Sequence, residues 1–342
     1  MSTRGRQLAV SFLSSTRRRA SYARCPAHER ARRGVPRFRG VACSPESLVL
    51  PPPEGDDFWC RFPPCSRSEG SAVTATVFLE RPGGQISYDD SGGDGPLVVA
   101  APGMGDTRHV YRHIRPALTA AGFRFVTMDL RGVGESSVGW SDYSDAAIGS
   151  DLVALIDELS AGPAVLIGNS LSAASAVIAA TDAPQKVAGL GLIGPFVRDV
   201  PTKWWQTAAF HAMLARPWGR SVWVSYYRKN MYPGSKPPDL HDYATALSAN
   251  LSEPGRFASF KGLAFNSHAE SGSRLARVTQ PTLVVMGIAD PDFPDPTAEA
   301  NDLGEIMGAV VVLVEGSGHY PQADSPDRVA GTIIELVRRT QP

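Results

Sequence analysis

Short apolar runs alternate with helical segments along most of this chain, and few folds accommodate such a pattern. Leu97 to Ala101 is a continuous apolar run, typical of a strand buried on both faces. Asp145 to Leu159 has apolar residues at helical spacing, and Ala164 to Ile167 is again short and apolar. This alternation indicates parallel strands joined by helical crossovers. We therefore expect an α/β fold with a mostly parallel central sheet and helices on both of its faces.

One region interrupts the alternation. The predicted strands are 73–79, 85–88, 97–101, 123–128, 164–167, 187–193, 282–286 and 310–314. The predicted helices are 110–121, 145–159, 170–181, 297–307 and 327–338. Between Phe196 and about Val278 no strand is evident, and this region holds four of the six tryptophans. We interpret it as a helical insertion above the sheet.

Composition excludes two classes of protein. The chain has 342 residues, and its 34 basic residues equal its 34 acidic residues, so a globally basic nucleic-acid binder is not expected. No stretch approaches the roughly 20 apolar residues of a membrane span, which argues against an integral membrane protein.

The first 70 residues differ from the rest. They contain 13 arginines, no lysine, six acidic residues and all four cysteines. Little apolar periodicity is present, so residues 1–70 are predicted to be largely disordered. Their composition resembles an organelle transit peptide, but composition alone is weak evidence for targeting, so a dispensable extension is the preferred interpretation. Cys60 and Cys65 are too far apart for a CxxC metal hairpin.

The expected location of the protein is the cytoplasm. The body of the chain lacks cysteine, and no segment of the sequence is a convincing secretion signal.

A candidate nucleophile follows one of the predicted strands. Gly168 to Ser172 reads Gly-Asn-Ser-Leu-Ser, lies after the strand 164–167 and opens a helix. This is the context of the G-x-S-x-G nucleophile elbow, in which a tight turn lifts the serine hydroxyl clear of the backbone. Serine replaces glycine at position 172, and it is small enough for the turn. Ser170 is therefore the predicted nucleophile, with an ordinary structural turn as the alternative.

A serine hydroxyl becomes a good nucleophile only when a base takes its proton. In a catalytic triad this base is an imidazole that a carboxylate holds in orientation. His319 lies in a glycine-rich loop after the strand 310–314, where sites assemble in open α/β sheets. Asp290, after the strand 282–286, is the predicted acid, and the order Ser170, Asp290, His319 fits an elbow-type triad. The alternative acids are Asp292, Asp295 and Asp199.

Two backbone amides are candidates for holding a developing oxyanion. One is the N–H of Leu171, which follows the nucleophile. The other is the N–H of Met104, in the glycine-rich loop Pro102 to Gly105 that follows the strand 97–101. The alternative is that this loop is an ordinary βα turn.

Five segments in this order resemble the α/β-hydrolase fold, and within it the capped serine hydrolases. They are PGMGD (102–106), DLRGVGESS (129–137), GNSLS (168–172), GIADPDFP (287–294) and GSGHYPQ (316–322). The resemblance covers about residues 73–340. It implies a core formed by 71–196 and 279–342, with a helical cap at 197–278. Pro102 stands where the family usually has histidine.

The resemblance implies a serine hydrolase that needs no cofactor and no metal. Ser170 would attack a carbonyl and form an acyl-enzyme that water releases. A small apolar ester is the expected substrate. Carbon–carbon bond hydrolysis of a diketone-like compound, perhydrolysis, and non-catalytic ligand binding are the alternatives. Family members that cleave epoxides or carbon–halogen bonds use an aspartate nucleophile, which Ser170 argues against.

The aromatic residues of the insertion suggest where the substrate binds. By analogy with the family's cap, they would line an apolar site, and packing of the cap onto the core is the alternative. The residues predicted to contact substrate are Trp204, Trp205 and Tyr227. The expected partner is thus a small molecule and not a nucleic acid, and the oligomeric state is left open.

Overall fold

The described residues, 76–199 and 203–341 of a computed structural model, contain an eight-stranded sheet. The strands are β1 (Val77–Arg81), β2 (Gly84–Asp90), β3 (Leu97–Ala101), β4 (Arg124–Met128), β5 (Ala164–Asn169), β6 (Val187–Ile193), β7 (Thr282–Gly287) and β8 (Val310–Val314). These residues belong to a unit that spans Val73–Pro342. The predictions made for residues 1–70, and for Cys60 and Cys65, lie outside the described residues.

The sheet is mostly parallel, which confirms the predicted fold class. Its spatial order is β1-β2-β4-β3-β5-β6-β7-β8. The pairs β1–β2 and β2–β4 are antiparallel, and the other five pairs are parallel. Since β3, β5, β6, β7 and β8 are consecutive in the sheet and run in one direction, their carboxyl ends meet at one edge.

Eleven α-helices are present in the described residues. They are α1 (Arg115–Ala120), α2 (Asp145–Leu159), α3 (Ser172–Asp182), α4 (Trp204–Met213), α5 (Gly219–Asn230), α6 (Leu240–Asn250), α7 (Arg256–Ala264), α8 (Ala269–Gly272), α9 (Pro296–Met307), α10 (Pro321–Asp324) and α11 (Pro326–Arg339). None of the helices in these residues is both long and apolar enough to span a bilayer. Between β6 and β7 the described chain contains α4 to α8 and no strand.

The central strands are buried because helices cover both faces of the sheet. All five residues of β3 are buried. Val98 packs into one apolar cluster, which includes residues of α1 and α11. Val99 packs into the other cluster, which includes residues of α2 and α3. This alternation of successive side chains is the period of a strand, and burial on both faces explains the uninterrupted apolar run.

The predicted helix 110–121 is wrong in its extent. The structure has a 3-10 helix at Arg108–Tyr111 and then the short α1. Pro116 occupies the first turn of α1, and a proline there favours a new helix start because it lacks the N–H that a continuous helix would need. The polypeptide therefore turns between the two short helices instead of continuing as one.

The turn that follows β4 holds the first 3-10 helix in place. Asp129 is fully buried and accepts hydrogen bonds from the Ser87 hydroxyl at 2.8 Å and the Arg108 backbone N–H at 2.7 Å. Its carboxylate also pairs with the Arg108 guanidinium. A buried carboxylate is tolerated only when it is paired and hydrogen-bonded in this way. Because Arg108 directly follows the loop 102–107, this network fixes the end of that loop.

The amphipathic helix α11 should be sensitive to loss of apolar volume. Ile333 is fully buried against the sheet, so Ile333→Ala should lower the free energy of unfolding by about 2–5 kcal/mol. Ile306 lies on α9 and is 38% exposed, so Ile306→Ala should cost less than about 1 kcal/mol. Urea unfolding of both variants measures this difference. Equal losses would contradict the assigned packing of α11.

Candidate active site

The loops after neighbouring parallel strands carry the residues predicted to be catalytic. Met104 follows β3, Ser170 follows β5, Asp290 follows β7 and His319 follows β8. These strands lie side by side with β6, so the four loops share the same edge of the sheet. Polar residues at such an edge are typical of ligand sites in α/β proteins.

The turn at Ser170 has the backbone geometry of a nucleophile elbow. Ser170 has φ of +56°, in the left-handed region that a residue with a Cβ rarely adopts. The Ser170 N–H donates to the Ile193 carbonyl at 2.9 Å, and the Phe196 N–H donates to the Ser170 carbonyl at 3.2 Å. A Cβ at Gly168 would lie only 2.6 Å from the carbonyl oxygen of Ser172. The turn therefore requires glycine at 168 and is fixed by β6. It also explains why α3 begins at Ser172, two residues later than predicted.

The serine at position 172 ties this turn to the end of β3. Its hydroxyl donates to the Ala101 carbonyl at 2.6 Å and accepts from the Asn169 N–H at 3.0 Å. Glycine, which the G-x-S-x-G motif has here, could make neither bond. The hydroxyl thus connects the elbow to the strand from which the loop 102–107 begins.

The imidazole of His319 is paired with Asp290. The Nδ1 of His319 lies 2.7 Å from Oδ2 of Asp290, and both side chains are buried. The Nδ1–H donates in this pair because a carboxylate only accepts, which leaves Nε2 free to accept a proton. This is the arrangement that fixes the imidazole tautomer in a catalytic triad.

The alternative acids are placed differently. The Oδ2 of Asp292 is 3.9 Å from His319 Nδ1, and its Oδ1 accepts from the Tyr226 hydroxyl at 2.5 Å. Asp295 caps α9 by accepting from the Ala298 N–H. Asp199 accepts from the Ser267 hydroxyl and the His268 N–H. Of the four carboxylates, Asp290 is the one that hydrogen-bonds to the imidazole.

The elbow and the histidine loop are also connected. The Asn169 side-chain amide donates to the Ile193 carbonyl at 2.9 Å and, at 3.5 Å, to the His319 carbonyl. Within the described residues the Ser170 hydroxyl has no hydrogen-bond partner, so a Ser170–His319 bond is not formed in this structure. Such bonds are often long without substrate and tighten in the complex.

The two amides predicted to bind an oxyanion belong to Leu171, which follows Ser170, and to a loop that packs against Ser170. A Cβ at Gly103 would lie 2.8 Å from the Cβ of Ser170, so the loop that carries Met104 packs directly against the serine. In the described part of the chain, neither the Met104 N–H nor the Leu171 N–H donates to a backbone carbonyl. Unpaired amides at such a position are available to a negatively charged oxygen.

The electrostatic environment favours the charged form of His319. Burial disfavours the imidazolium, but the charges of Asp290 and Asp292 and the hydrogen bond to Asp290 outweigh it and raise the pKa of His319 to about 9. A general base must be neutral before it can take a proton. Any reaction that uses His319 as the base should therefore become faster as the pH rises towards about 9.

A buried carboxylate that was not predicted from the sequence lies at the end of the Met104 loop. Asp106 is fully buried and accepts from the Thr107 N–H and the Tyr227 hydroxyl, each at 2.8 Å, and from the Tyr243 hydroxyl. Burial raises the pKa of Asp106 to about 6. The two tyrosines come from α5 and α6, so these helices are anchored to the loop beside Ser170.

The three aromatic residues predicted to contact substrate have different environments. Tyr227 is buried, and its hydroxyl is bound by Asp106 at 2.8 Å. Trp204 is 82% exposed and Trp205 is 43% exposed. In the described residues no ring contact or hydrogen bond joins either tryptophan to Ser170 or His319.

Two phenylalanines that were not predicted lie closer to the imidazole. The ring of Phe196 is 5.9 Å from that of His319 and stacks on Phe293 at 4.6 Å. Both follow strand ends, since Phe196 comes three residues after β6 and Phe293 lies in the Asp290 loop. Their position after a strand is the signal in the sequence from which both phenylalanines could have been predicted as site residues. Together they form an apolar surface next to the imidazole of His319.

One group of side chains could in principle hold a metal ion. The ligand atoms of Asp290, Asp292 and His319 lie within 4.8 Å of one another, and in the described residues this is the one such group. The direct Asp290–His319 hydrogen bond already uses the nitrogen and one carboxylate oxygen. The prediction that the site works without a metal stays a prediction.

The charge of Asp292 should raise the pKa of His319. Asp292→Asn removes a negative charge 3.9 Å from Nδ1, so the pKa of His319 should fall from about 9 towards its ordinary value. NMR titration of the imidazole measures this change without any assay of activity. Asp295→Asn, which removes a charge from the N-cap of α9, is the matched control and should have a much smaller effect. An unchanged pKa in Asp292→Asn would contradict the electrostatic assignment.

Asp106 should make stability depend on pH in a defined direction. Its pKa is about 6 in the folded chain and about 4 when unfolded, so the folded state binds more protons between these values. The free energy of unfolding of the wild type, relative to Asp106→Asn, should therefore fall by about 2–3 kcal/mol from pH 4 to pH 7. Denaturant unfolding at both pH values measures this difference. Asp327→Asn, at an exposed position on α11, should leave the slope unchanged.

Comparisons with known proteins agree with this arrangement of strands and loops. A model of the alpha/beta hydrolase family matches residues 98–332. The chain is 31% identical over 276 residues to 2-hydroxy-6-oxononadienedioate/2-hydroxy-6-oxononatrienedioate hydrolase 2 of Pseudomonas putida, covering 74% of this chain and 92% of that protein. It is 26% identical over 294 residues to an epoxide hydrolase of Caballeronia sordidicola, covering 72% and 88%.

A solved structure shows the same fold. A thermophilic esterase from Thermogutta terrifontis is 25% identical and superposes with a TM-score of 0.64, covering 78% of this chain and 99% of that chain. The relatives and the structural neighbour named here are hydrolases, and the family match includes most of β3 and all of β4 to β8. The chain is therefore a member of the α/β hydrolase family.

Proposed function

We propose that this enzyme hydrolyses small apolar carboxylic esters through an acyl-enzyme on Ser170. The observation that carries the proposal is the strained elbow at Ser170 beside the buried Asp290–His319 pair. A serine becomes nucleophilic only when a base can take its hydroxyl proton. The free Nε2 of His319 would accept that proton.

The reaction proceeds in two halves. Ser170 Oγ attacks the ester carbonyl carbon while His319 Nε2 takes the hydroxyl proton, and the charge of Asp290 stabilises the imidazolium. The Met104 and Leu171 amides bind the oxyanion. The tetrahedral intermediate then collapses, and the alcohol leaves with the proton from His319. Water attacks the acyl-enzyme with the same base, releasing the acid and restoring Ser170.

The environment of the site supports an apolar acyl group. Phe196 and Phe293 form a stacked pair beside the imidazole, and an acyl chain would displace water from this surface. We assign them the substrate contact in preference to Trp204 and Trp205, which are 82% and 43% exposed. The helices α4 to α8 would act as the cap over this site. We also propose that the enzyme acts on a small molecule in the cytoplasm and has no nucleic-acid partner.

Carbon–carbon bond hydrolysis is the second candidate. It is favoured by the 31% identity to the Pseudomonas putida hydrolase, whose name specifies an oxo-dienedioate substrate. The same serine, histidine and oxyanion donors could serve that reaction. Turnover of a vinylogous diketone without turnover of short esters would favour this candidate. The similarity to an epoxide hydrolase carries less weight, because serine and not aspartate occupies position 170.

The proposed nucleophile can be tested with matched serine variants. Ser170→Ala should lower kcat for a p-nitrophenyl ester by roughly 10³–10⁶-fold, because no covalent intermediate can form. Ser175→Ala is the control. Ser175 lies on α3, the helix that follows Ser170, and it is also buried. Its hydroxyl has no hydrogen-bond partner in the described residues. The control should keep nearly full activity. Equal activity of Ser170→Ala and wild type would contradict the proposal.

A further inference from the structure

The helix α4 presents an unusually apolar surface. None of its described side chains is buried. Trp204 is 82% exposed and Trp205 43% exposed, and Trp218, just after the helix, is 53% exposed. The Trp218 indole N–H donates to the Ala212 carbonyl at 3.0 Å, which holds that ring at the end of α4. Large exposed aromatic groups that lie close together mark an interaction surface more often than a bare protein face.

The apolar side chains share one face of the helix. Trp204, Ala208 and Ala212 are spaced by four residues and are all exposed, so they form one outward stripe. Phe210, on another side, packs edge-on against Phe265 with ring centroids 5.6 Å apart. His211, one turn beyond Ala208 and at the edge of this stripe, stacks on the same Phe265 ring at 3.9 Å. Phe210 and His211 therefore hold the helix to the protein, and its outer side offers Trp204, the two alanines and the exposed Thr207.

The stretch of chain that contains α4 and α5 carries positive charge that is not paired with carboxylates of the described residues. Residues 200–238 contain six basic residues and no acidic residue, whereas the chain beyond residue 70 has an excess of acidic residues. The six are Lys203, Arg216, Arg220, Arg228, Lys229 and Lys236. In the described part of the chain, none of them forms an ion pair with a carboxylate. The field of this region is thus positive.

The charge selects among possible occupants of the surface. A second copy of the chain would bring the same positive region against itself, and residues 1–70 carry 13 arginines against six acidic residues. Both would be repelled. A nucleic acid would be attracted, but the outward stripe of α4 offers alanines where polar base-reading side chains would be needed. An anionic lipid surface matches both the charge and the apolar stripe.

We propose that α4 docks this protein on the surface of an anionic lipid bilayer. Trp204, Trp205 and Trp218 enter the interface, where the amphipathic indole ring is favoured. Lys203 at one end of the helix, and Arg216 and Arg220 beyond the other, contact lipid phosphates. The helix lies in the plane of the interface. This binding is independent of the hydrolytic reaction proposed above.

The test is sedimentation of the full-length chain with lipid vesicles. Wild type should bind vesicles of phosphatidylcholine and phosphatidylglycerol in equal parts, with a blue shift of tryptophan emission, and bind pure phosphatidylcholine far more weakly. Trp204→Ala/Trp205→Ala should weaken binding by about tenfold or more. Phe78→Ala is the control, because Phe78 is 43% exposed, like Trp205, but lies on β1. It should bind as wild type does.

A second pair of variants tests the charge. Arg216→Glu/Arg220→Glu should weaken binding to anionic vesicles, whereas Arg338→Glu/Arg339→Glu, which makes the same charge change at exposed positions on α11, should have a much smaller effect. Circular dichroism and the unfolding midpoint should match wild type for each variant.

Three results would overturn the proposal. They are no binding by wild type, binding that both the tryptophan pair and the Arg216/Arg220 pair leave intact, and equal weakening by the Arg216/Arg220 and Arg338/Arg339 pairs. Binding that stays intact in the first two variants would assign the attraction to the arginines of residues 1–70. Tighter binding of a single-stranded oligonucleotide than of vesicles, lost in the tryptophan variant, would replace the lipid with a nucleic acid.

Discussion

The buried hydrogen bond between His319 and Asp290 is the interaction on which the site depends. It requires the loops after β7 and β8 to approach closely. The Ala289 N–H donates to the Ser317 carbonyl at 3.0 Å, and a Cβ at Gly287 would lie 2.1 Å from the Gly318 carbonyl oxygen. A larger residue at Gly287 would therefore separate the two loops. Because a buried carboxylate without a partner is costly, the pair also explains why both side chains can leave water.

The segment between β6 and β7 makes direct contacts with the loops that carry His319 and Met104. The His319 N–H donates to the Met231 carbonyl at 3.1 Å, so the histidine loop rests on the segment after α5. Asp106, at the end of the Met104 loop, accepts from tyrosines of α5 and α6. Movement of these helices would therefore disturb both the His319 loop and the Met104 loop.

Local patterns in the sequence were sufficient for much of the fold. The bounds of β3, β6, β8 and α2 agree with prediction to the residue. Each of these segments has a single pattern of apolar residues, and that pattern stops clearly at both ends. The elbow was recognised because all of its residues are adjacent in the chain. Asp290 could not be separated from Asp292, since two residues on one loop differ only in which of them reaches the imidazole.

Features made by distant residues were not predictable in this way. Asp106 and its tyrosine partners are more than 100 residues apart, and nothing local marks Asp106 as buried. The sequence predicts that the tryptophans of α4 contact substrate, because aromatic residues usually lie in cores or binding sites. Their exposure depends on which face of α4 meets the protein, and that face is set by contacts such as Phe210 with Phe265.

The central claim is that Ser170 is an activated nucleophile, and covalent labelling tests it most directly. The folded protein would be treated with a fluorophosphonate and its peptides examined by mass spectrometry. The account predicts one phosphonate adduct, on Ser170, that forms more slowly in His319→Ala, because the base that removes the hydroxyl proton is then missing. Folded wild-type protein without an adduct at Ser170, or with the adduct on another serine, would contradict it.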